Sequence, residues 1–303
     1  MSFSSDVKGE LCRQPMQKKC CQAAEIYGIL LYCNTFSKDE VRLVTESRPF
    51  AQRAEKLFQR AFSWGFDRAD GLEADSGKVT LRILDPAKLE AIFDRFGYER
   101  GGVLAHHVNL SLLEQDCCRA AFMRGAFLAG GSVTDPRKHY HLELCTSHYN
   151  VSNEVVSLLY EMGFAPGRSR RGGSYVCYFK QSETVEDLLT TLGARLSAME
   201  MMNAKVEKDM RNAVNRKVNC DTANVEKTVN AAQVQLDAIR RLEAAGGLEA
   251  LGDKLCQAAR LRLEYPEASL AELAALATPP LTKSGLSHRL RKLCEIAGEV
   301  DSR

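Results

Sequence analysis

The chain has no apolar run near the roughly 20 residues a membrane-spanning helix needs. Its first 19 residues, MSFSSDVKGELCRQPMQKK, hold no apolar stretch of signal-peptide length. By expectation it is cytoplasmic, with no membrane partner. It also lacks a charge surplus: 41 lysines and arginines against 39 acids leave a formal net charge of +2 over 303 residues. Basic character must then be local if a polyanion is bound. No C-x-x-C pair and no Cys/His ligand cluster accompanies the eleven cysteines, an odd number that argues against a disulfide framework. We read them as small buried apolar residues in a reducing compartment, with no metal and no cofactor. His106-His107 and the group His139, His141 and His148 lack a companion carboxylate cluster and read as structural or surface residues. The single Trp64, beside Phe62 and Phe66, reads as core.

What is present is a repeat. Residues 20–36 read CCQAAEIYGILLYCNTF and residues 117–133 read CCRAAFMRGAFLAGGSV, 97 residues apart in the same register. Cys-Cys, Ala-Ala, a central glycine (Gly28, Gly125) and a leucine (Leu31, Leu128) coincide. A glycine inside a helix costs about 1 kcal/mol against alanine. Accepting that cost twice at equivalent places predicts two helices in close approach about a pseudo-twofold axis. Such a surface suits a partner with its own approximate dyad, such as duplex DNA. The repeat continues: VRLVTES (41–47) matches HLELCTS (141–147), VTLRIL (79–84) matches SYVCYFK (174–180), and AKLEAIFDRFG (87–97) matches ETVEDLLTTLG (183–193). Each half reads as helix, strands, helix, strand, helix.

After Gly193 strand alternation ceases and the chain reads as helix. Residues 196–218 form a charged helix with Leu196, Met199, Met202, Val206 and Met210 at three- and four-residue steps, ending in RNAVNRKVN before Cys220. A second apolar stripe, Val225, Val229, Ala232, Leu236, Ile239 and Leu242, runs to Gly246-Gly247. Another helix runs from Leu248 to about Leu263 and stops at Tyr265-Pro266. Asn219, Asp221, Thr222 and Asn224, at the junction, read as capping and interdomain residues. The last segment, SLAELAALATPPLTKSGLSHRLRKLCEIAG (269–298), opens on the capping-box pattern Ser269-Leu270-Ala271-Glu272. A short helix ends near Ala277, and Thr282 or Ser284 caps the next. Its residues Leu286, Leu290, Leu293 and Ala297 line one side, while Ser284, His288, Arg291 and Lys292 take the other, flanked by Ser287 and Arg289. Lys283, Arg289, Arg291 and Lys292 are unaccompanied by an acid between 283 and 292. That is the pattern of a recognition helix in a helix-turn-helix. An αα-hairpin with a solvated basic face is the plainer alternative. Arg168, Arg170 and Arg171, in GRSRRGG at an expected hairpin tip, are a second candidate phosphate grip, with a solvated loop the alternative.

The repeated helices resemble the motif of the LAGLIDADG homing endonucleases, over residues 26–34 and 123–131. That resemblance implies two helices packed through their glycines, each ending in a metal-holding carboxylate. Here the acid positions are Cys33 and Gly130, and no acid lies between Ile26 and Lys38 or between Arg119 and Thr134. Glu25 lies about two turns above, and Asp39 and Asp135 beyond the helix ends. The scaffold is thus expected without its cleavage chemistry, which needs oxygen ligands for a hard cation. Over its whole length the chain is similar to the WhiA family of bacterial regulators, on RGAFLAGGSVTDP (124–136), YHLEL (140–144), NRKVNCDTAN (215–224), PEASLAELA (266–274) and KSGLSHRLRKL (283–293).

The resemblance implies an α+β protein with a duplicated LAGLIDADG-like domain over 1–195 (repeats 18–97 and 115–193). A helical connector over 196–220 leads to an all-α DNA-binding domain over 221–303, its helix-turn-helix at 269–297. It implies a non-enzymatic, nucleoid-associated transcription regulator of cell division, chromosome segregation or sporulation. The expected partner is double-stranded DNA, with another regulator or RNA polymerase beside it; the internal dyad means that symmetry does not demand a dimer. Two alternatives remain from the sequence: an interaction scaffold that reads no DNA, and an active metal-dependent nuclease.

Overall fold

The computed structural model describes residues 2–72, 77–98 and 106–300. The repeat is realised element for element. The first half runs α2 (Lys19–Tyr32), β1 (Thr35–Phe36), β2 (Val41–Thr45), α3 (Arg48–Phe62), β3 (Arg68–Asp70), β4 (Val79–Ile83) and α4 (Pro86–Phe96). The second runs α5 (Asp116–Gly130), β5 (Gly131–Val133), β6 (Leu142–Thr146), α6 (Tyr149–Glu161), β7 (Gly167–Arg171), β8 (Ser174–Phe179) and α7 (Ser182–Leu192). Each half holds an antiparallel sheet, in the orders β1-β2-β4-β3 and β5-β6-β8-β7. Strands β3 and β7 are additions to the sequence expectation. Both are sheet edges, and Arg68-Ala69-Asp70 is wholly exposed, so no apolar alternation betrays the strand. Helix α1 (Phe3–Cys12) also precedes the repeat, capped by Ser2 and burying Phe3, Val7 and Leu11.

Helices α2 and α5 cross through their glycines. A Cβ on Gly28 would fall onto the carbonyl oxygen of Phe122 and lie 2.8 Å from the Ala126 amide nitrogen. A Cβ on Gly125 would fall onto the carbonyl oxygen of Glu25 and lie 3.1 Å from the Ile29 nitrogen. Beside this crossing Glu25, 1 % exposed, meets two guanidinium groups. Arg53 of α3 donates Nη2 to Oε2 at 2.8 Å, and Arg124 of α5 donates Nε to the same oxygen at 3.1 Å. Arg53 also donates to the carbonyls of Cys12 and Gln14, and Arg124 to that of Leu192 at 3.1 Å. The buried carboxylate thus joins both repeats and the end of α1.

The chain divides into two compact units, 1–209 and 210–303. Helix α8 runs unbroken from Arg195 to Ala244, not stopping at Cys220 as the basic stretch suggested. The 50 residues contain no glycine or proline, so nothing in the backbone ends the helix. Its N-terminus is held by Glu10, whose carboxylate accepts from the amides of Leu196 and Ser197 at 2.8 and 2.9 Å. The expected stripe is buried only at its end: Leu236, Ile239 and Leu242 are covered, whereas Met199, Val206, Met210, Val225 and Val229 are exposed. In the second unit α9 (Asp253–Glu264), α10 (Leu270–Leu276) and α11 (Lys283–Val300) pack with Ala238, Ile239 and Leu242 in one core. Arg262, 2 % exposed, is an internal strut, donating to Gln235 Oε1 at 3.0 Å and the Ala268 carbonyl at 2.7 Å.

The crossing makes a differential test. Gly28→Ala should destabilise by about 1–3 kcal/mol, because a backbone oxygen must move. Gly9→Ala, in α1 with nothing within 4 Å of the new methyl, should stabilise by about 0.5–1 kcal/mol. Urea unfolding of both variants reads the contrast; equal shifts would mean that the helices do not touch there.

Candidate nucleic-acid interface

Cys33 and Gly130 stand where the resembled motif carries its acids, and neither place suits an oxygen ligand. The Cys33 thiol faces inward, its single S–H within reach of the carbonyls of Leu30 and Thr35 at 3.2 and 3.0 Å. Burial pushes its pKa up to about 12, so it stays protonated at neutral pH. Gly130 has no room at all: a Cβ would lie 2.5 Å from the Cys145 carbonyl oxygen and 2.8 Å from Tyr32 Cδ1. The foot of the helix pair is closed by packing on one side and by a neutral donor on the other.

In the second unit, α10 begins at a complete capping box, Ser269 accepting from the Glu272 amide and Glu272 from the Ser269 amide. Thr282 Oγ1 accepts from the Gly285 amide at 3.1 Å and caps α11. Leu286, Leu290, Leu293 and Ala297 are all 0 % exposed. Their burial fixes the opposite face outward: Lys283, Ser284, Ser287, His288, Arg291 and Lys292 are exposed. Arg289 departs from that set. It is half-buried and donates to Gln257 Oε1 at 3.2 Å, across to α9. Arg291 has Glu295 one turn on, at 3.6 Å.

The three arginines of GRSRRGG lie on edge strand β7 rather than in a loop, and they part company. Arg171 points to the open face of its sheet and pairs with Glu143 at 3.2 Å. Arg168 and Arg170 take the other face, toward Asn153 of α6 and the Tyr175 ring. Sequence reasoning missed a cross-strand row on the first sheet: Arg42 is opposite Arg82, and Arg82 opposite Arg68. Arg42 and Arg82 occupy polar positions of VRLVT and VTLRI, whose alternation was the available signal, whereas Arg68 lies on the wholly exposed β3, which gives none. Arg42 Nη2 donates to Thr35 Oγ1 at 3.0 Å, and Arg82 approaches Glu40 at 3.7 Å.

Family models match two segments: the WhiA LAGLIDADG-like domain over residues 119–211 and the WhiA C-terminal HTH domain over 214–297. A probable cell division protein WhiA of Ruminiclostridium cellulolyticum is 39% identical, the alignment covering 99% of this chain and 98% of that protein. The chain belongs to the WhiA family. The Alkaliphilus oremlandii protein of the same name is 38% identical, again over 99% and 98% of the two chains. The fold is shared with the full-length DUF199/WhiA crystal structure from Thermatoga maritima, at a TM-score of 0.60 and 23% identity over 99% of both chains. The chain thus joins a degenerate LAGLIDADG-like domain to a helix-turn-helix domain.

Among the described residues the histidines form pairs but no cluster of three or more metal-ligating groups. His107 Nδ1 meets Glu154 Oε1 at 2.8 Å, His141 meets Glu143 at 3.2 Å, and His106 lies against His148 at a 4.0 Å centroid distance with the rings tilted by 55°. The cysteines do gather, against the expectation of no ligand cluster. Of eleven, Cys118 and Cys177 are buried, Cys20 and Cys220 are exposed and the others, Cys33 among them, lie between, and Cys20, Cys21, Cys117 and Cys118 converge. The signal was the doubled Cys-Cys itself, in register 97 residues apart, which each pair alone does not reveal. Among the described residues no helix is long and apolar enough to cross a membrane.

Cys33→Ser, which still donates, should cost less stability than Cys33→Asp, which sets a carboxylate against two carbonyls and should lose about 2–4 kcal/mol. Gly130→Asp should be at least as damaging, and the two acids together should yield no Mg²⁺-dependent nicking of plasmid DNA. A second outcome concerns pH. Burial first, and then His148 beside it, hold the His106 pKa down at about 4. The unfolded chain, with histidine near 6.5, binds the proton first, so stability is complete above that value and falls as pH drops toward 4. His106→Gln should flatten that slope in urea midpoints measured from pH 7 to 4.

Proposed function

We propose that this protein is a non-catalytic transcription regulator that reads duplex DNA with α11. One observation carries the reading: a single helix buries Leu286, Leu290, Leu293 and Ala297 while presenting Lys283, Ser284, Ser287, His288, Arg291 and Lys292 to solvent. Short polar residues stand in its first turns, where a recognition helix meets base edges, and the cations reach phosphates. Arg289 serves the packing of α11 on α9 and so sets the angle at which that face is offered. In the duplicated unit, Arg42, Arg82 and Arg68 supply a further phosphate-binding row, in which Glu40 approaches only Arg82, and Arg171 a weaker one because Glu143 already neutralises it. A foot without carboxylates supports a scaffold that holds no divalent cation there. The work is done on the cytoplasmic nucleoid, in the control of cell division, chromosome segregation or sporulation. Relatives named probable cell division protein support that role. Another regulator or RNA polymerase is the protein partner we assign to the duplicated unit.

Binding of a labelled duplex by the full chain, followed by anisotropy over a salt series, tests the reading. Each phosphate contact steepens the log–log salt slope by roughly 0.9. Arg291→Ala with Lys292→Ala should weaken binding and flatten the slope by about 1.8. Arg289→Ala should mainly lower stability. An unchanged slope in the double variant removes α11 from the interface. Genome-wide crosslinking separates the regulator from a scaffold: discrete peaks with a common sequence element support the first, diffuse signal the second.

A further inference from the structure

Four thiols meet where α2 and α5 begin. Cys20 and Cys21 stand in the first turn of α2, Cys117 and Cys118 in the first turn of α5, and all four Sγ atoms lie within 4.8 Å of one another. Cys20 and Cys21 are 4.0 Å apart at sulfur. A tetrahedral zinc ion with Zn–S bonds of about 2.3 Å needs sulfur–sulfur edges of about 3.8 Å. The thiols therefore need to close by about an ångström at most, a distance that rotation about χ1 supplies. An iron–sulfur cluster sets several metal atoms between its cysteines and requires them farther apart. The spacing selects one ion.

The surroundings suit an anionic tetrathiolate. The N-caps of α2 and α5 are Lys18 and Gln115, and neither makes a side-chain cap hydrogen bond. The sulfurs thus lie at the N-terminal ends of two helices without a side-chain cap, where both helix dipoles present their positive ends. Lys18 Nζ lies 3.9 Å from Cys117 Sγ. Asp116, in the first turn of α5, is the one acid among the residues flanking the two pairs, against Lys18, Lys19 and Arg119. Exposure is graded: Cys20 is open, Cys21 and Cys117 are half-buried and Cys118 is buried, which gives an ion a way in. Four protein ligands leave no open position, so the site is a structural one.

We propose that Cys20, Cys21, Cys117 and Cys118 bind a single zinc ion that ties the two repeats together at the start of their paired helices. The glycine crossing brings the main chains together in mid-helix; the ion would fasten the ends. Two ligand pairs 97 residues apart in sequence then become one local bond network. The inference stands apart from DNA reading by α11 and survives the failure of that reading.

Full-length protein purified without chelator, and assayed by elemental analysis, should carry about one zinc per chain. Cys21→Ser with Cys117→Ser should lose it, while Cys220→Ser, an exposed cysteine outside the cluster, should keep it. Reduced, metal-free wild-type protein should take up one equivalent of Co²⁺ with intense tetrahedral d–d bands and thiolate-to-cobalt charge transfer. That titration decides the question even if the double variant misfolds. Zinc removal should lower the thermal midpoint of wild type but leave the double variant unmoved. The proposal is overturned by metal-free protein that binds no Co²⁺, by a bound cluster with acid-labile sulfide, or by a disulfide joining Cys20 or Cys21 to Cys117 or Cys118 in the unreduced protein.

Discussion

Everything in the first unit answers to the missing side chains of Gly28 and Gly125. With no Cβ between them, two helix backbones come into van der Waals contact, each glycine lying against the carbonyl three residues before its counterpart. A contact of that kind has no slack: it fixes translation along both helices as well as their separation. Both ends of the pair are therefore determined by the middle. At the start, two Cys-Cys pairs must face each other. At the foot, Cys33 and Gly130 must fall on either side of the same axis. Glu25, whose carbonyl already touches Gly125, must deliver its carboxylate to Arg53 and Arg124.

The backbone keeps its dyad while the chemistry on it does not. On the open face of the first sheet Arg42, Arg82 and Arg68 stand in a cross-strand row; the corresponding row of the second sheet is Glu143, Tyr178 and Gly167. The first face gathers three arginines, with Glu40 approaching Arg82, while the second pairs its one arginine with Glu143 and sets His141 over Tyr178. At the foot the same divergence replaces two equivalent carboxylates with a thiol that donates inward and a glycine against a carbonyl. Restoring an acid there would cost folding energy on both sides of the axis. The packing around Cys33 and Gly130 thus leaves no place for a carboxylate at the foot.

Much of this was legible in the sequence, for reasons that differ by element. The doubled glycine foretold the helix crossing because only glycine permits it. The burial of Leu286, Leu290, Leu293 and Ala297 followed from period 3.6, and the start of α10 from a capping box. Strands β3 and β7 stayed hidden because an edge strand of exposed residues has no alternation to show. The basic stretch RNAVNRKVN before Cys220 suggested an end to α8, but with no glycine or proline in its 50 residues the helix continues to Ala244. Arg289 and Arg262 were indistinguishable in sequence from surface cations. Their internal roles depend on Gln257, Gln235 and main-chain carbonyls that other helices bring near.

The cysteines show how a repeat can carry information that neither copy holds. A Cys-Cys dipeptide in one helix offers two thiols pointing about 100° apart, too few and too divergent for a closed metal site. A twofold axis through the glycine crossing supplies the missing half of the tetrahedron from the other helix. Duplication followed by close packing therefore creates a four-ligand geometry from a two-residue motif, at the one level along the axis where both first turns end. The same axis at the other end would bring two side chains of position 33 and its counterpart together, and there the chain has placed a glycine. One end of the pair is kept symmetric and polarisable while the other has been made asymmetric and inert.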